Sequence, residues 1–137
     1  MDAILKSLLE QVSDLHGIPV GAYNIRNNGQ SESRNSTDTI QIVSKTDGKS
    51  GIDIIVKENT KNESVHIPAI ITETGINDLV YNDFYIGENA EVVIVAGCGV
   101  HNSGSEASMH EGIHRFFLGK NSKVTYIEKH IGEGEGT

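Results

Sequence analysis

Tryptophan is absent from this 137-residue chain, cysteine occurs once, at Cys98, and proline only twice. A single cysteine excludes an internal disulfide, which fits a reducing, cytoplasmic compartment. Long apolar runs are missing too: the longest is Val92 to Ala96, against the roughly 20 residues that span a bilayer as a helix. The opening Met-Asp-Ala-Ile-Leu-Lys lacks the basic start, apolar middle and small-residue cleavage site of a secretory signal. Basic residues are scarce, with 11 Lys and Arg against 19 Asp and Glu. The resulting net charge of -8, with no Lys/Arg cluster to override it, repels phosphate backbones and speaks against a nucleic-acid partner. No Gly-x-x-x-x-Gly-Lys run is present for gripping nucleotide phosphates, and the glycine-rich stretches at Gly97–Val100 and Gly132–Gly136 lack the strand-loop-helix context of a dinucleotide site.

Glycine, by contrast, is plentiful at fifteen residues, while apolar content is 36% and aromatics 5%. Those proportions favour thin hydrophobic layers, short strands and many turns, and the length suits one domain. Ile4, Leu5, Leu8, Leu9, Val12 and Leu15 recur at helical spacing, so residues 1–18 are expected to hold an amphipathic helix with Asp2 as N-cap and Gly17 and Pro19 ending it. His16 then belongs to its last turn. Residues 19–39 are expected to be a polar linker, since Asn24 to Asp38 has hardly an apolar side chain. The β domain is expected over residues 40–137, with strands at Ile40–Val43, Ile52–Val56, Val65–Ile71 and Leu79–Tyr81, and His66 a strand residue.

An internal repeat organises the second half of the chain. Phe84-Tyr85-Ile86-Gly87-Glu88-Asn89-Ala90-Glu91-Val92 matches Phe116-Phe117-Leu118-Gly119-Lys120-Asn121-Ser122-Lys123-Val124 position by position, at one constant interval. The unit reads strand, Gly-x-Asn turn, strand. Stacking two such units would lay Phe84 on Phe116 and Val92 on Val124, burying like on like. A sandwich of hairpins would use the same short strands, so the repeat alone leaves the two architectures open.

The chemistry-bearing side chains concentrate here as well. Cys98, His101, His110, His114 and His130 fall in one short segment, with Glu106, Glu111 and Glu128 among them. Thiolate and imidazole suit iron, zinc and copper, and Cys-x-x-His followed by His-x-x-x-His is compatible with metal-ligand spacing. Cys98 and His130 are separated by the same interval as Phe84 and Phe116, so stacking would make them neighbours. Glu111 and Glu128 are candidates for orienting or additional ligands. Cys98 paired with a histidine as nucleophile and base is the alternative, a metal-binding or Cys-dependent enzyme using Cys98, His101, His110 and His114.

The runs Cys98-Gly-Val-His101-Asn102, Ser108-Met-His110-Glu111-Gly112-Ile113-His114-Arg115-Phe116, Gly119-Lys120-Asn121-Ser122-Lys123-Val124 and Glu128-Lys129-His130 resemble the SufB/SufD family of iron-sulfur cluster assembly scaffolds, in the short form found in archaea and anaerobes. The likeness runs from about Val65 to the end. It implies an all-β, right-handed parallel β-helix in this SUF-type system. It also implies a non-enzymatic scaffold carrying a transient iron-sulfur cluster or iron, with zinc as another fit. The implied partners are a SufC-like ABC ATPase and a SufB/SufD-like or identical second subunit. Family members continue past the position of Gly136, so the chain is expected to be a C-terminally truncated member lacking the ATPase-docking part.

Overall fold

The computed structural model describes Ala3, Ser7 and residues 21–101 and 108–133. Apart from Ala3 and Ser7, the helix expected over residues 1–18 lies outside the described residues, as do Glu106 and the Gly/Glu run after Glu133. All the elements described are strands: β1 (Ala22–Asn27), β2 (Gln30–Asn35), β3 (Ile40–Ser44), β4 (Gly51–Val56), β5 (Glu63–Ile71), β6 (Asn77–Ile86), β7 (Glu91–His101), β8 (Met109–Leu118) and β9 (Lys123–Glu133). They form two mixed sheets, β2-β1-β5-β7-β9 and β3-β4-β6-β8.

The polar linker expected over residues 19–39 is instead the β1/β2 hairpin, antiparallel with Asn27 opposite Gln30. Its turn is Asn28-Gly29, both at positive φ (50° and 84°), the pairing that matches hairpin twist. Polarity is misleading here because the buried polar side chains are paired. Arg34 Nε donates to Asn24 Oδ1 at 2.8 Å, and Arg26 meets Asp78 across the fold. β2 is exposed and polar along much of its length, as suits the edge of a sheet.

From β4 onward the chain alternates between the sheets; β5 pairs in parallel with β1, and from β6 onward each strand pairs in parallel with the one two before it. β3 and β4 form the other antiparallel hairpin. The β6–β8 register places Phe84 on Phe116 and Ile86 on Leu118, and the Phe84 and Phe116 rings stack at 4.7 Å and 8°. The turns between strands stack as well. Asn59, Asn89 and Asn121 all adopt positive φ (63°, 60°, 58°), and Asn59 N donates to Glu88 O, and Asn89 N to Lys120 O, both at 2.9 Å. A Cβ on Gly87 would collide with the Glu58 backbone and one on Gly119 with Glu88, which is why the repeated turn carries glycine there.

The alternate side chains that face between the sheets form the core. Ile54, Val65, Phe84, Ala90 and Ile94 are completely buried. On the outer face of the second sheet, Lys45 Nζ donates to Asp53 at 2.7 Å and Asp83 at 2.6 Å, and Arg115 holds Asp83 through two nitrogens at 2.8 and 2.7 Å. β8 and β9 are edge strands among the described residues. Phe116, Leu118 and Ile127 are exposed there.

Candidate functional site

Beyond Phe84 and Ile94 the space between the sheets turns from apolar to polar. On β6 the inward positions run Phe84, Asn82, Val80, Asp78. On β7 they run Ile94, Ala96, Cys98; on β8, Phe116, His114, Gly112, His110; and on β9, Tyr126, Glu128, His130. Arg26 and Asn24 of β1 close the far side. The polar end of this space is one cleft of about 290 Å³.

Cys98 is the direct register partner of His130, as the interval of the repeat requires, and it is buried at 7% exposure. Burial, reinforced by the carboxylates of Asp78 and Glu128, pushes its thiol up to about 11, so the free thiol is protonated at neutral pH. His110 Nδ1 lies 2.9 Å from Asp78 Oδ2. Arg26 donates to the same carboxylate through Nε (2.9 Å to Oδ2) and Nη2 (2.8 Å to Oδ1), and its Nη2 also donates to Ser50 Oγ at 2.8 Å. Burial alone would raise Asp78, but the hydrogen bonds from His110 and Arg26 outweigh it and hold the carboxyl well below the usual range.

Asn82 Nδ2 sits 3.5 Å from His114 Nδ1. On its other side His114 Nε2 is 3.9 Å from Glu128 Oε1. Burial lowers the His114 pKa, with Glu128 opposing and His110 adding to the shift. His130 Nε2 approaches Glu128 Oε2 at 3.4 Å, and Tyr126 OH donates to Glu128 Oε1 at 3.1 Å. Glu128 therefore bridges two imidazoles. Burial and this carboxylate together raise the Tyr126 phenol and keep it a donor.

Cys98, His110, His114, His130 and Glu128 thus gather on one cleft. Glu111 borders it from an exposed position. His101 stands apart, at the end of β7 opposite Glu133. Among the described residues no three His, Cys, Asp or Glu side chains are close enough, as they stand, to hold one ion. Any shared ion would have to draw the partly exposed carboxylate of Glu128 inward. Sequence reasoning does not single out Arg26, Asp78 and Asn82. For the last two the available signal is again the interval of the repeat, since Asp78 precedes His110, and Asn82 precedes His114, by the same separation that relates Phe84 to Phe116.

Chemically, the cleft offers imidazole nitrogens, a carboxylate and a thiol, donor types that iron and zinc accept, lined along one cleft rather than gathered on one point. Comparison with family models, curated proteins and solved structures finds no match to the chain.

Proposed function

We propose that the chain is a SufB/SufD-like scaffold on which an iron-sulfur cluster is assembled and passed on, its alternating parallel strands forming a right-handed parallel β-helix. The observation that carries this reading is the placement of Cys98 beside His130 on the wall of a cleft that His110, His114 and Glu128 share. Iron and sulfide are the cargo, held at the cleft and then released. The scaffold itself turns nothing over; the energy for transfer comes from a SufC-like ABC ATPase in the cytoplasm, and a second copy or a SufB/SufD-like subunit adds to the edge strands β8 and β9.

The Cys-dependent enzyme fits less well. A nucleophilic cysteine needs a lowered pKa and an open approach, whereas the Cys98 thiol is buried and its pKa is raised. A thiol of this kind still serves as a ligand, because an incoming metal displaces the proton.

The test is anaerobic reconstitution of the full chain with ferrous iron and sulfide. Visible sulfide-to-iron absorbance that is lost in Cys98→Ala supports the scaffold. A chain that stays colourless, or a Cys98→Ala variant that loads equally well, contradicts it.

A further inference from the structure

We propose that the cleft is a binding site for a small, neutral, hydroxyl-rich molecule, a monosaccharide or short polyol, held between the oppositely protonated rings of His110 and His114. This goes beyond the scaffold reading and stands without it.

The parallel register sets Asp78 beside His110 and Asn82 beside His114. In each pair the contact falls on Nδ1, yet the two partners dictate opposite tautomers. A carboxylate only accepts, so Asp78 fixes the ring proton on His110 Nδ1 and leaves Nε2 an acceptor. Arg26 holds both oxygens of that carboxylate in place. The amide nitrogen of Asn82 only donates, so the neutral His114 ring accepts at Nδ1 and carries its proton on Nε2, where Glu128 Oε1 lies 3.9 Å away. Burial favours that neutral ring.

Both Nε2 atoms border one small space. A Cβ on Gly112 would come within 3.0 Å of His114 Nε2 and 3.7 Å of His110 Nε2, so the missing side chain keeps open a point flanked by one acceptor and one donor. A hydroxyl group satisfies both at once, donating to His110 and accepting from His114. A cation would meet the His114 proton there, and an anion the His110 lone pair.

The rest of the lining has the same mixed character. Asn24 and Asn82 are buried, at 3% and 7% exposure. Arg34 donates to Asn24 Oδ1 at 2.8 Å, which leaves the Asn24 amide nitrogen as a donor on the cleft; Asn82, donating to His114, keeps its Oδ1 as an acceptor there. Neither atom has a hydrogen-bond partner among the described residues, and polar groups so placed call for one. The charges of Arg26 and Asp78 are paired with each other, and Glu128 already engages Tyr126 and His130, so a charged ligand would find no free counter-charge. Ile52, Ile67 and Val80 give the apolar wall for a C–H face. At about 290 Å³ the cleft is at the small end of ligand sites, room for one sugar ring and not for a chain of them.

The experiment is NMR of the full chain with xylitol, glucose, galactose and myo-inositol, and with glucuronate and glucosamine as charged counterparts. Histidine ring nitrogen shifts are expected to show the proton on Nδ1 of His110 and on Nε2 of His114. At least one neutral compound should saturate amide shifts at Gly112 and Cys98 at millimolar concentration, and the charged counterparts should bind about 10-fold more weakly or worse. Gly112→Ala should weaken binding about 10-fold or more by filling the space, with a thermal midpoint unchanged or higher because alanine suits a strand better than glycine. Asn82→Asp, nearly the same shape but only an acceptor, should move the His114 proton to Nδ1 and weaken binding about 10-fold. No shift with any neutral compound, equal binding of a charged counterpart, two rings of the same tautomer, or a Gly112→Ala affinity equal to that of the unmodified chain each overturns the proposal. Polyol binding in a chain that assembles no cluster would refute the scaffold reading alone, and cluster assembly without polyol binding would refute this inference alone.

Discussion

Cys98 of β7 and His130 of β9 are register partners, side by side on two parallel strands whose side chains face the opposite sheet. One is a buried thiol, the other an exposed imidazole already in contact with Glu128.

This placement sets the reactivity of the thiol. With a pKa of about 11 and little exposure, Cys98 is expected to react with a neutral disulfide reagent at pH 7 far more slowly than a free cysteine, and to accelerate steeply only above pH 9. Stopped-flow labelling measures this. Fast labelling at pH 7 would revive the nucleophile reading.

The stacked aromatic pair gives a graded prediction for stability. Phe84 is fully buried between the sheets, whereas Phe116, on the edge strand, is 37% exposed. Phe84→Ala is expected to cost about 3–5 kcal/mol, and Phe116→Ala clearly less. Urea unfolding of both variants checks the order.

Glycine substitutions should separate turns that are crowded from turns that are not. A Cβ on Gly51, at φ 141°, would run into the Tyr81 backbone, whereas one on Gly48 meets nothing within 4 Å. Gly51→Ala is therefore expected to lose roughly 1–3 kcal/mol or more through overpacking, and Gly48→Ala only the smaller cost of its positive φ. Denaturation midpoints distinguish the two.

Two pH windows are expected in the stability of the chain. Burial lowers the pKa of His66, whose Nδ1 is buried without a partner; the unfolded chain then binds the proton first, so stability declines as pH falls below about 6.5. Asp83 is held low by the hydrogen bond from Arg115, against the opposing effect of burial, and by Lys45. Its contribution is present above the unfolded value near 4 and is lost as pH falls below that value. Thermal midpoints across pH 3 to 8 should show both declines. His66→Leu should reduce the upper one, which the buried His114 shares, and Asp83→Asn should reduce the lower, which Asp78 shares.

The repeat is the most legible feature of the sequence, because matching turn chemistry and like apolar positions recur at a fixed interval, and it correctly places Phe84 on Phe116 and Cys98 beside His130. A third copy of the turn, Lys57-Glu58-Asn59, is hard to see in the sequence because lysine replaces the glycine and the interval to the next copy is shorter. The β1/β2 hairpin is hidden for a different reason. Its inward residues are Asn24 and Arg26, and burial of such groups becomes tolerable only through the partners Arg34 and Asp78, brought in by strand pairing and by the packing of the sheets, which composition cannot show. Likewise the histidines stand out as metal-compatible, while Asp78 and Asn82 look like ordinary polar strand residues until the register sets them beside those histidines.

The central claim is that the cleft between the sheets binds iron through its histidines. Iron K-edge absorption spectroscopy of the anaerobically loaded chain tests it most directly. Outer-shell scattering from imidazole rings is expected around the iron, falling away in a His110→Ala/His114→Ala variant. Iron surrounded only by oxygen scatterers, or a spectrum unchanged by the double substitution, would contradict it.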